Sequence, residues 1–170
     1  MNKKSFNLSK FISNITGQNP LDQICDDKFI SNAHCSIMRL TDAISSIEII
    51  IQTKYIPLKD EHLIMEKVGL MNAIVHEITF LIGQIKSTIQ DCNKRRVEKG
   101  LKSYSPSLAK LKSRNCNIEN KYKDNEVSIS KIILKLLQSE IFEDLKKHHD
   151  GYSSTELSLK NWCQQIIGMK

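Results

Sequence analysis

Residues 30–51, ISNAHCSIMRLTDAISSIEIII, and residues 64–89, IMEKVGLMNAIVHEITFLIGQIKSTI, decide the fold. In the first, Ile30, Ala33, Ile37, Leu40, Ile44, Ile47 and Ile51 recur at alternating steps of three and four. In the second, Ile64, Val68, Met71, Val75, Ile78, Ile82, Ile85 and Ile89 do the same. Side chains at that spacing share one stripe of an α-helix, whereas a strand alternates its faces every residue. The run Ile49-Ile50-Ile51 alone would suit a strand, since β-branched residues favour one, but the ladder through it overrides that preference. Lys54 to Asp60, with Pro57 inside, reads as the turn between two helices. The spacing therefore predicts an antiparallel heptad hairpin over 27–92, its first helix from Asp27 to Thr53 and its second from Pro57 or Asp60 to Cys92.

Working outward, the fold class is all-α: a single helical domain over 1–170 with four main helices and a short fifth in front. Gly and Pro number only six and three, too few breakers for a loop-rich fold. Residues 4–16 read as an amphipathic helix with Leu8, Phe11, Ile12 and Ile15 on one face, either packed on the bundle or set against an anionic membrane surface. The C-terminal pair, 125–170, comprises a helix from Val127 to Lys147 and one opened by a capping box of Ser153 and Glu156. Leu159, Trp162, Ile166 and Met169 line that last helix.

The second long helix has more apolar positions than one seam uses. Leu63, Leu70, Ile74 and Leu81 form a second stripe beside its ladder, and we assign them as the candidate protein-binding residues. The two stripes also allow a homodimer.

Charge is distributed unevenly. Ten Lys or Arg fall between Lys94 and Lys123 against Glu98 and Glu119, so this stretch is +8 while the rest of the chain is −2. We read 93–124 as a solvated basic connector. Its candidate contacts for phosphate or an acidic partner are Lys94, Arg95, Arg96, Lys110, Lys112 and Arg114. The nearest aromatics, Tyr104 and Tyr122, are too few for a base-stacking surface.

Catalytic patterns fail on inspection. His76-Glu77 opens an H-E-x-x-H pattern, but Phe80 stands at the second ligand position. Adjacent His148 and His149 point about 100° apart on a helix and cannot share a metal. Cys25, His34 and Cys35 match no zinc spacing, and no phosphate-cradling glycine loop or nucleophile elbow occurs. The expectation is a non-enzymatic interaction module (an adaptor, chaperone or accessory factor) that needs no metal, cofactor or small-molecule substrate. A nucleic-acid-binding factor using residues 94–123 is the alternative. Five scattered cysteines with no C-x-x-C pair read as reduced thiols in the cytoplasm, without a Sec signal or an apolar run long enough to span a membrane.

Overall fold

Asp26 starts the first helix. Its backbone is extended, with ψ at 172°, and its carboxylate accepts the Phe29 N–H at 2.8 Å, so α1 runs Asp27–Ile50. A computed structural model describes residues 25–168 of the chain. The amphipathic segment 4–16 and Met169 lie outside the described residues.

Beyond Ile50 the helix does not stop at Thr53. It widens into one π-helical turn, Ile51–Tyr55, before the exposed turn that ends at Asp60. Asp60 caps α2, Glu61–Glu98, by accepting the Leu63 N–H at 3.2 Å. This helix outruns its expected end at Cys92 by six residues, because Lys94, Arg95, Arg96 and Glu98 are good helix formers. Arg96 adds a reason of its own: it reaches Asp27 at 2.9 Å and the Cys25 carbonyl at 3.0 Å. Gly100, at φ +80°, then supplies the left-handed residue that closes the helix, with the Leu101 N–H returning to the Arg96 carbonyl at 2.9 Å.

Two short elements follow, α3 (Leu108–Ser113) and a 3₁₀ turn (Asn120–Tyr122). The predicted helix from Val127 to Lys147 is two helices, α4 (Glu126–Leu137) and α5 (Glu140–Lys146). Ser139 divides them: its backbone is extended and its hydroxyl donates to the Leu136 carbonyl, a local bond that competes with the helical ladder. The last helix, α6, spans Gly151–Gly168, so the capping box of Ser153 and Glu156 does not form. The Gly151 N–H donates instead to His149 Nδ1 at 2.8 Å, and Glu156 pairs with Lys146 (3.1 Å) and Lys160 (2.8 Å). All six helices and both short turns are helical elements; no strand occurs among the described residues.

The core forms where α1 packs on α2, α2 on α6 and α6 on α4. Ile30, Ala33, Leu40, Ile47, Met71, Ile78 and Ile85 of the two ladders are fully buried. So are Ile74 and Leu81, with Leu70 at the margin, so the ladder and second stripe of α2 merge into one broad face. Val68, Val75 and Ile82, ladder members, are only half-buried at its edge. The start of α6 comes close to α2 at Gly151, where a Cβ would meet the His149 ring at 2.8 Å and Gln84 Nε2 at 3.2 Å. That approach lets the buried Tyr152 hydroxyl meet Thr88 Oγ1 at 2.6 Å.

Three expectations are corrected. Cys35 and Cys116 form a disulfide across 81 residues of sequence, which points to an oxidising setting and overturns the reduced-thiol, cytoplasmic expectation. Secondly, α2 does contain an 18-residue window of mean hydropathy 1.4, so by length and composition alone it could cross a membrane. Here it is a core helix with one open side, 33 % of that window being buried. Thirdly, the basic stretch 93–124 is not solvated along its length. Its first residues belong to α2, Leu111, Cys116 and Ile118 are buried, and the Ile118 N–H donates to Asp42 at 2.8 Å.

Candidate functional site

The basic candidates separate into held and unheld groups. Arg96 is tied to Asp27, and Arg114 donates to Asn32 Oδ1 at 2.5 Å. Lys110, on α3, lies over the Tyr104 ring and donates to its hydroxyl, which also bonds Ser31. Lys94 and Lys112 are exposed and make no ion pair among the described residues. Elsewhere in the segment Lys123 pairs with Asp42 at 3.2 Å and Lys121 with Glu119 at 3.3 Å. Two charges of the segment, Arg96 and Lys123, are therefore matched against carboxylates of α1, and Lys121 is matched within the segment itself.

The candidate apolar residues are mostly interior. Leu70, Ile74 and Leu81 lie in the core, and only Leu63, at 38 % exposure, reaches the surface. A face already covered by its own chain cannot receive a partner, so an open surface must be sought elsewhere on α2.

It lies on the opposite side of that helix. Met65, Gly69, Asn72, His76, Phe80, Gly83 and Ser87 recur at steps of four, three, four, four, three and four, and all are exposed. The stripe is about 33 Å long, carries no Asp, Glu, Lys or Arg, and contains Phe80 at 57 % exposure and Met65 at 73 %. Its glycines are informative. A Cβ at Gly69 or Gly83 would meet nothing within 4 Å, so no neighbour among the described residues needs them small. Each nonetheless costs a helix interior about 1 kcal/mol relative to alanine.

Beside this stripe runs a groove of about 540 Å³, walled by His76, Phe80, Gly83 and Ser87 of α2, by His148 and His149 in the turn after α5, and by Tyr152 of α6. Tyr152 is a poor proton donor, burial raising its pKa to about 12. A second groove of about 590 Å³ lies over the Cys35–Cys116 bond, between α1, the basic segment and α4.

Behind the first groove sits a cluster that sequence reasoning missed. Cys25 Sγ and Cys92 Sγ are 2.7 Å apart, both thiols are buried, and a His148 ring nitrogen lies within 4.8 Å of each. Phe29 stacks on the His148 ring, centroids 5.2 Å apart. Two buried nitrogens in this region, Arg95 Nη1 and His148 Nε2, have no hydrogen-bond partner among the described residues. The Cys92 side chain bonding to Cys25 lowers the Cys25 pKa to about 7 against the opposing effect of burial, with Arg95 and Arg96 adding to the fall. The same contact, followed by burial, pushes Cys92 up. Burial, then Arg95, holds His148 below its usual value and so neutral. Sequence distance hid this grouping, since 67 residues separate the two cysteines.

Comparison with family models, with characterised proteins and with solved structures finds no match to the chain.

Proposed function

We propose that this protein is a non-enzymatic helical-bundle interaction module that receives a partner protein's helix on the open stripe of α2. In this reading α1 and α2 are an antiparallel hairpin, with α4–α5 and α6 completing four main helices that hold the stripe rigid. The observation that carries it is the pair Gly69 and Gly83: residues that weaken an exposed helix and serve no contact among the described residues. Glycines at such positions let another backbone approach closely, and Phe80 between them offers an apolar anchor of the kind found at the centre of helix-in-groove contacts. The groove next to Phe80 would accept side chains of the partner helix.

The test uses Phe80→Glu beside wild-type protein as bait in affinity capture under low and high salt. Phe80 is exposed, so the substitution should leave the circular dichroism spectrum and melting temperature within error. Loss of one stoichiometric protein partner with Phe80→Glu supports the proposal. Retention of every captured protein refutes it. Capture of nucleic acid that is lost instead with Lys94→Glu and Lys112→Glu, and that weakens steeply with salt, would favour the basic segment as the working surface.

A further inference from the structure

We infer that Cys25 and Cys92 are the site of a second disulfide, which cross-links the segment just ahead of the Asp26 cap of α1 to the penultimate turn of α2. Two sulfurs held at 2.7 Å with both side chains buried leave no room for water or another side chain between them. A bond of about 2.05 Å needs only a small further approach, whereas two zinc-bound thiolates with sulfurs about 2.3 Å from the metal need the pair to spread. The surroundings keep the pair in register. Arg96 grips the Cys25 carbonyl and Asp27 from α2, and the ring of Phe29, one turn into α1, is stacked on His148. The Cys35–Cys116 bond shows that this chain takes up disulfides, and a dithiol in contact would not persist beside it. Cysteine parity then resolves as two bonds and one thiol, Cys163, fully buried on α6.

The chemistry is thiol–disulfide exchange with a disulfide-bearing oxidant, either a carrier protein or a low-molecular-weight disulfide. The Cys25 thiolate attacks one sulfur of the oxidant and expels the other as a thiolate. Cys92 then loses its proton and its sulfur attacks Cys25, expelling the second oxidant thiolate. Two thiols are oxidised, one oxidant disulfide is reduced, and the Cys92 proton leaves with the released thiols. Because Cys25 and Cys92 are almost wholly buried, the exchange belongs to folding, before the start of α1 closes onto α2.

The test is thiol counting on the full chain, folded with a glutathione redox couple and no metal, then denatured and alkylated without reductant. One alkyl group, on Cys163, is expected. Trypsin should then release peptide 11–28 joined to 87–94, and 29–39 joined to 115–121, two species that collapse on reduction. Cys25→Ser should expose Cys92 and raise the alkyl count from one to two. Three alkyl groups on the wild type, with 25 and 92 both modified, would overturn the proposal. So would bound zinc, at one per chain after folding with zinc and released by alkylating those two residues, since the cluster would then be a metal site. A linkage of either cysteine to Cys163 would overturn it equally.

Discussion

Replacing Gly69 and Gly83 by alanine should make the protein more stable and less useful. Alanine is favoured over glycine in a helix interior by about 0.8–1.0 kcal/mol, because glycine surrenders more backbone freedom on folding. At both positions the added methyl group enters open space, so no steric cost offsets that gain. The sites are fourteen residues apart on one helix, about 21 Å, far enough for their effects to add. The double variant should therefore gain about 2 kcal/mol, or roughly 4–8 °C in melting temperature for a chain of this size. Urea unfolding followed by circular dichroism measures it, the midpoint rising at unchanged slope. A double variant less stable than wild type would mean that something packs on this face in solution, a second copy of the chain being the first suspect. Light scattering at several concentrations would decide that. A stability gain without any loss of partner capture would show instead that the glycines do not serve the interface.

Two further outcomes follow from bonds and ionisation. Cys35→Ser with Cys116→Ser removes a tie that closes a loop of about 80 residues, for which chain entropy gives a loss of up to about 4.5 kcal/mol, or roughly 10–15 °C in melting temperature. Scanning calorimetry should show this drop, and reductant should then shift the variant less than it shifts wild type. Stability should also fall on acidification. Burial opposes ionisation of Glu156, yet Lys160 and Lys146 outweigh it and hold the carboxyl below 4.5. A group depressed in this way stabilises the fold above its unfolded pKa and loses that contribution as pH falls through the folded one. Melting curves between pH 7 and pH 3 should therefore converge for wild type and Glu156→Gln at the acid end; a gap that stays constant would refute the assignment.

How much of this was legible in the residues depends on the range of the interaction. The α1 and α2 ladders are local patterns, and both helices appear where the three-four spacing puts them. Helix ends were harder, because they turn on one side chain's choice of partner. Ser139 splits a helix by bonding Leu136, and His149 rather than Ser153 holds the start of α6. The second stripe of α2 is legible as apolar, but periodicity cannot say what covers a face. Leu70, Ile74 and Leu81 are covered by this chain. The basic segment misled through composition: its lysines and arginines suggested solvent, while Ile118, Cys116 and Asp42 at a distance tie it down. Neither cysteine pairing could be seen, since spacings of 81 and 67 residues carry no motif. The open stripe did leave a trace, namely Gly69, Phe80 and Gly83 in phase along one helix.

The Cys35–Cys116 bond has a consequence for scission. It joins the two sides of every peptide bond between those residues, including the exposed turn at Pro57–Asp60. A protease that cuts after Lys59 therefore produces two polypeptides but not two particles. The nicked protein would keep its mass on a non-reducing gel and its helices in register. It would part only when a reductant reached this bond and the Cys25–Cys92 bond that spans the same cut, so that damage to the exposed turn stays latent until the surroundings change their redox state.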